Sequence, residues 1–338
     1  MTQSRFRNVV ADGELGPVET RPAAEPGFGE ALLRVRATSL NYHDWIGVNG
    51  GIPGLLVPRV PFSDASAEIV ALGSGVKGWS AGERVLPSFY LDWYSGRPTQ
   101  AARSRVLGDQ VDGALQTHVV VPANSLVRTP KHLSDVEAAT LGCAGLTAWR
   151  SLVVEAGMQP GETVVLQGTG GVSIFALGFA KMLGARVIIT SSSDEKLKRA
   201  RALGADVCIN YRENPEWHRN VLDATGGLGA DLVVEVGGGA TLGNAVQAVR
   251  HDGHVSIIGV LTGFAAPDFP LAVAMGRNVT LKGVTVGNTS DFAKMCRAME
   301  QHEMRPVVDS TYTLETVDGA LRAMEAQGHF GKIAVTID

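Results

Sequence analysis

The residues most suited to chemistry are glycines. Leu166-Gln167-Gly168-Thr169-Gly170-Gly171-Val172-Ser173 leaves the apolar run Thr163 to Gln167 and enters the apolar helical stretch Val172 to Leu183. A glycine loop between a strand and a helix is built to receive a pyrophosphate. Gly168 allows the tight turn, and Gly170 and Gly171 let the backbone approach the anion, with Thr169 and Val172 in the same turn. The N–H groups and dipole at the helix start then favour negative charge. Ser173 stands where the usual pattern has its third glycine, and a small residue there still permits close helix–strand packing. The next strand selects among dinucleotides. An acid about 20 positions past the loop would accept the ribose hydroxyls of NAD. Ser191-Ser192-Ser193 occupy that distance, Lys196 follows within a turn, and Tyr211 comes after the third strand. A carboxylate would repel a 2′-phosphate and hydroxyls do not, so NADPH is expected over NADH.

These residues need a scaffold, and the pattern supplies one. Residues 129–287 alternate strands with helices: strands at Thr163–Gln167, Arg186–Thr190, Val207–Asn210, Asp231–Val236, His254–Ile258 and Val279–Val286, with an amphipathic helix at Asp194–Leu203. This α/β alternation predicts a Rossmann-type, doubly wound parallel sheet. Residues 1–128 read as β-rich, with short runs such as Glu30–Arg36, Ala65–Gly73 and Thr117–Val121 bounded by turns, and predict a sandwich or barrel. Tyr90 to Gln110 reads as a polar, exposed excursion. Residues 288–338 hold a polar helix, an extended piece, the helix Glu315–Ala326 and the strand Lys332–Ile337. They are too few for a domain and are expected to return to the N-terminal one.

Composition narrows the class. The 338 residues suit two domains, and 45% hydrophobic content suits large cores. A net charge of −4 argues against nucleic acid or an anionic membrane as partner. Cys143, Cys208 and Cys296 form no CxxC pair, which disfavours a disulfide framework or a zinc knuckle. Without a leader-like start or a long apolar run, a cytoplasmic protein acting on a small molecule is expected.

Several segments together resemble the medium-chain dehydrogenase/reductase superfamily, that of alcohol dehydrogenases and quinone oxidoreductases. They are Ser39-Leu40-Asn41-Tyr42-His43-Asp44, the GTGGVS loop, Arg201 to Asp206, Asn210 to Glu213, and Gly331-Lys332-Ile333. The match spans nearly the whole chain. It implies a GroES-like catalytic domain (1–128 and 288–338), a Rossmann NADP-binding domain (129–287), and an active site in the cleft between them. By position it implies that Thr147 and the turn Ile258-Gly259-Val260 approach the nicotinamide, that Val236 lines the adenosine, and that Lys332 lies near the cofactor phosphates. Thr147 and Val236 suit packing equally well. Lys196 and Tyr211 match positions that hold a 2′-phosphate. Asn278 to Asn288 resembles a dimerising edge strand, so a homodimer is expected.

The sequence departs from the zinc-dependent members. Their first ligand position is Asn41 here, and their GHE motif reads Phe62-Ser63-Asp64, which leaves only Cys143 of the three protein ligands. A tetrahedral catalytic zinc needs three, so no metal is expected and Cys143 reads as a small buried packing residue. Without a Lewis acid, hydride addition to a conjugated carbon is the easier reaction, because charge spreads onto an enolate or hydroquinone oxygen that hydrogen bonds stabilise. An enone or quinone reductase is the leading expectation, with Asn41, Tyr42 and His43 as donors to the substrate oxygen and His43 as proton shuttle. Trp45, Phe62, Phe89, Tyr90, Trp93 and Tyr94 are candidates for an aromatic wall or for core. The competing readings are a metal-free NAD(P)-dependent alcohol dehydrogenase or carbonyl reductase, and a non-catalytic NADPH-binding protein.

Overall fold

The computed structural model describes residues 2–338. They form two units: one runs through Leu146 and resumes at Val286, and the other is Thr147–Thr285. The first boundary lies beyond the expected 128/129 because side chains tie residues 129–146 to the first unit. Asp135 accepts from Arg84 at 2.7 Å and from Ser66 at 2.9 Å, and Glu137 pairs with Arg305 at 2.9 Å.

The first unit is built on the strand Glu30–Leu40. Ala31, Leu33 and Val35 enter the main core at alternate positions with Arg34 exposed between them, the period of a half-buried strand. One side pairs antiparallel with Ser66–Leu72. The other pairs with His118–Pro122 opposite Glu30–Arg34 and with Lys332–Thr336 opposite Ala37–Leu40. The C-terminal strand is in turn parallel to Val308–Thr313, joined to it through the helix Val317–Glu325. The seven-stranded sheet also holds Arg84–Pro87 and Leu126–Arg128.

The stretch from Tyr90 to Gln110 corrects the expectation of an exposed excursion. Tyr90, Leu91 and Trp93 at its start, and Val106, Leu107 and Asp109 near its end, are buried. Only the middle, around the 3-10 turn Ala101–Arg103, is largely exposed. The segment folds back on itself, with Leu91 N–H donating to Arg105 O at 3.0 Å and Leu107 N–H to Phe89 O at 3.2 Å, so its backbone is satisfied while its apolar ends are hidden.

The second unit is a six-stranded parallel sheet. Its spatial order is Val207–Asn210, Arg186–Ser191, Thr163–Gln167, Ala230–Glu235, Val249–Ile257 and Thr280–Gly283. Val164, Val165 and Leu166 are fully buried, as strands covered on both faces must be. The direction of strand succession reverses between Thr163–Gln167 and Ala230–Glu235, the position at which open α/β sheets bind ligands beyond their carboxyl ends. The last strand ends at Gly283 rather than the expected Val286, which takes a left-handed φ of 49°.

Candidate functional site

The sheet register sets one row of residues at the carboxyl ends of the parallel strands: Gln167 beside Thr190, Ser191 beside Asn210, and Glu235 beside Ile257. From Gln167 the chain turns through Gly168, whose φ of +70° favours glycine, into the helix Gly171–Met182. Gly170 is its N-cap, with no side-chain cap on the first N–H groups. A Cβ built on Gly168 or Gly170 would meet nothing within 4 Å, so the backbone faces open space. Ser173 donates to Gln167 O at 2.6 Å, so the residue in place of the third glycine locks the helix to the strand. Exposed backbone donors at an uncapped helix start fit a dinucleotide pyrophosphate.

The strand that would meet the ribose ends in Ser191, whose hydroxyl accepts from Ser193 N–H at 3.3 Å and whose carbonyl accepts from Tyr211 N–H at 3.1 Å. Ser192 follows it, partly exposed. Ser193 caps the next helix, accepting from Lys196 N–H. Lys196 and Tyr211 are thus brought to the same strand end. The nearby acid, Asp194, is engaged by Asn210 at 2.9 Å. Val236 and the Ile258–Val260 turn meet as well: Ile258 N–H donates to Glu235 O at 2.8 Å, and a Cβ on Gly259 would fall 2.0 Å from Val236 O. Thr147 is buried at the start of this unit.

In the first unit, Asn41 is the N-cap of the helix Tyr42–Val48. The helix's Asp44 accepts from Asn41 N–H at 2.8 Å and from Ser63 N–H at 3.0 Å. Burial is the main reason its carboxyl is pushed up to about 6; the nearby Asp64 charge adds to the shift, and His43 opposes it. Asn41 Nδ2 donates to Asp64 at 2.9 Å and to Ser63 at 3.3 Å, and its Oδ1 accepts from Lys332. The amide has no donor left for a substrate oxygen, so Asn41 positions its neighbours instead of acting as the expected donor.

Lys332 also departs from expectation. The pairing of Ile333 with Leu40 carries it opposite Asn41. There its buried ammonium donates to Leu40 O at 2.8 Å and lies 3.7 Å from Asp64. Its charge serves this cluster rather than phosphates. Burial raises the Asp64 carboxyl, with the Lys332 charge opposing.

His43 Nε2 lies 2.9 Å from Asp109, which is itself buried. Burial acts to lower the imidazole pKa, but the bond to Asp109 and the charges of Asp109 and Asp44 outweigh it, so His43 holds its proton to higher pH than usual. The side chain keeps 34% exposure, so solvent or a ligand can reach it. Tyr42 stacks on Trp45 with centroids 5.5 Å apart. Phe62, Phe89, Tyr90 and Trp93 are core, and His43 rests edge-on against Phe89 at 5.1 Å.

The donor set does not fit zinc. It consists of a committed amide, a hydroxyl, a carboxylate beside a lysine ammonium, and Cys143. Desolvation pushes the Cys143 thiol well above its ordinary value, with the Asp64 charge acting in the same direction. One thiol cannot replace the three protein ligands of a tetrahedral zinc, and Lys332 already supplies the local positive charge. Cys143 is partly accessible rather than buried. Asp109, Glu235 and Thr241 join these clusters although no motif singles them out. Glu235 left a signal, a carboxylate ending an apolar strand before three glycines; Asp109 left none.

One unit holds a parallel, dinucleotide-type sheet and the other a β-rich core with a buried polar cluster, the components expected of a two-domain nucleotide-dependent oxidoreductase. Comparisons agree. The family described as "Alcohol dehydrogenase GroES-like domain" matches residues 27–131, and "Zinc-binding dehydrogenase" matches residues 171–301. A zinc-type alcohol dehydrogenase-like protein of Schizosaccharomyces pombe is 39% identical over 96% of each chain. An acryloyl-coenzyme A reductase of Metallosphaera sedula is 26% identical over 98% of this chain and all of that one. A crystal structure of an NAD-dependent alcohol dehydrogenase superposes with a TM-score of 0.88 at 32% identity, covering 99% of this chain and 100% of that one. The chain belongs to the medium-chain dehydrogenase/reductase superfamily and is a nicotinamide-dependent oxidoreductase.

Proposed function

We propose that this protein is an NADPH-dependent, zinc-independent reductase of α,β-unsaturated carbonyl or quinone-like substrates. The observation that carries this reading is the cluster Lys332–Asn41–Ser63–Asp64: the Asn41 amide and Ser63 hydroxyl stand where zinc-dependent members place metal ligands, and they are hydrogen-bonded to each other, with the amide also bonded to the Lys332 ammonium and to Asp64. NADPH is supported by a strand end of serines with Lys196 and Tyr211 and no carboxylate at its tip. The cofactor, when bound, supplies the hydride. The chain's own part is to accept the cofactor on the glycine loop and to return a proton. His43, oriented by Asp109 through Nε2, offers its other ring nitrogen to the developing enolate or hydroquinone. A conjugated acceptor is in keeping with the acryloyl-coenzyme A reductase among the relatives.

The alcohol dehydrogenases among the relatives favour a second reading, metal-free interconversion of simple alcohols and carbonyls. One experiment separates the two. Purified protein is assayed with NADPH and NADH against an alkenal, its saturated aldehyde and a benzoquinone, with zinc measured on the same sample. The expected outcome is less than a tenth of a zinc per chain, activity unaffected by chelator, and turnover of the alkenal or quinone with NADPH. Turnover confined to the saturated aldehyde establishes the second reading, and a mole of zinc per chain refutes the first.

A further inference from the structure

We propose that Glu235, through its pairing with Gln167, is a positioning residue for the cofactor: it ties the glycine loop to the two loops across the sheet's switch point and thereby sets nicotinamide-dinucleotide affinity. The proposal rests on placing the cofactor at these carboxyl ends.

Glu235 is fully buried at the end of its strand. One carboxylate oxygen accepts from Gly237 N–H at 2.7 Å, Gly238 N–H at 2.8 Å and the Thr241 hydroxyl at 2.7 Å. The other accepts from Gln167 Nε2. Gln167 Oε1 accepts from Gly237 N–H at 3.2 Å, which closes the ring. The Glu235 carbonyl takes Ile258 N–H at 2.8 Å and Gly259 N–H at 3.3 Å. One residue therefore fixes the strand end beside Gly168, the turn after Val236, and the turn at Ile258–Val260.

The fit is tight. A Cβ on Gly237 would lie 2.2 Å from the Thr241 hydroxyl, and one on Gly239 2.1 Å from Ala265 O. Thr262 N–H donates to Gly237 O at 2.7 Å, so the two turns are laced together. Burial pushes the Glu235 carboxyl up, with the bonds from Thr241, Gly238, Gln167 and Gly237 opposing. Burying a carboxylate is costly, and an apolar side chain would fill the same space more cheaply. What an apolar residue cannot do is hold three turns in one geometry.

The test is a charge swap. Glu235→Gln sets two amide NH2 groups against each other, or against Gly237 N–H if Gln167 flips, so one bond of the ring is lost. The double variant Gln167→Glu/Glu235→Gln restores every bond with donor and acceptor exchanged. NADPH and NADH dissociation constants are measured by fluorescence titration alongside the urea midpoint. The expected result is a rise of about fivefold or more in both dissociation constants for Glu235→Gln, and recovery to within about twofold in the double variant. Thr241→Val, which removes one bond at the rim, gives a smaller rise and keeps the test decisive if the double variant does not fold. Dissociation constants unchanged in Glu235→Gln and in Thr241→Val, with only the urea midpoint lowered, overturn the proposal. Wild-type protein that binds neither nucleotide overturns the cofactor placement itself, a distinct result.

Discussion

His43 and Asp109 show what a single contact contributes. His43 was legible because it sits in the same short segment as Asn41 and Asp44. Asp109 was not, since it lies 66 positions away in a stretch whose average polarity hid its buried end. The pair makes a signed prediction. Asp109, from the loop, and Asp44, from its own helix, raise the folded-state pKa of His43 above 6.5. The stabilisation is therefore fully present below about pH 6.5 and is lost as pH rises through the folded value. Asp109→Asn should lower the His43 pKa, read by NMR titration, and flatten the fall in urea midpoint between pH 6 and 8.5. An unchanged imidazole titration would disprove the coupling. Ser191 makes a second prediction at this scale. A carboxylate there would face the 2′-phosphate and accept ribose hydroxyls, so Ser191→Asp should shift the NADPH/NADH ratio of kcat/KM by about tenfold or more toward NADH. A ratio that stays put would mean the ribose lies elsewhere.

At the scale of elements, the parallel sheet was readable because strands buried on both faces appear as uninterrupted apolar runs, as Thr163 to Gln167 does. The first unit was readable only as β-rich, because the partner of Leu40 lies some three hundred residues along the chain and local patterning carries no trace of it. Phe62 shows how such pairings create strain. It is buried with a φ of 79°, an uncommon region for a bulky side chain, immediately before Ser63 and Asp64. The segment after Asp109 clamps it: Ala114 N–H donates to Phe62 O at 2.8 Å, and a Cβ on Gly113 would fall 2.3 Å from that oxygen. Backbone cannot yield as a flexible side chain can. Gly113→Ala should cost roughly 1–3 kcal/mol, seen as a lower melting temperature. Activity should fall by more than the loss of folded protein explains, because Ser63 and Asp64 move with Phe62. Wild-type melting in this variant would show that the clamp is loose.

For the molecule as a whole, the edge strand Thr280–Gly283 is exposed along its length, and Leu271, Met275 and Leu281 of the same unit are exposed apolar residues. An open strand edge beside apolar side chains is a liability in a monomer. It supports our proposal of a homodimer formed through this edge. Leu281→Arg should convert a dimer to monomer in light scattering after size exclusion, and a monomeric wild type would end that idea. No helix among the described residues is long and apolar enough to cross a membrane.

The opposition of Lys332 to Asn41 also bears on the order of events during synthesis. Asp44 and Asp64 are buried acids, and the buried ammonium paired with Asp64, that of Lys332, comes far later in the sequence. A chain leaving the ribosome N-terminus first exposes both acids long before that ammonium emerges. All six strands of the other unit lie between Thr163 and Gly283 and are complete earlier. The parallel-sheet unit is thus able to close first, and the other waits for the strand that carries Lys332. A stop codon shortly before Lys332 would leave a finished nucleotide fold tethered to an open partner.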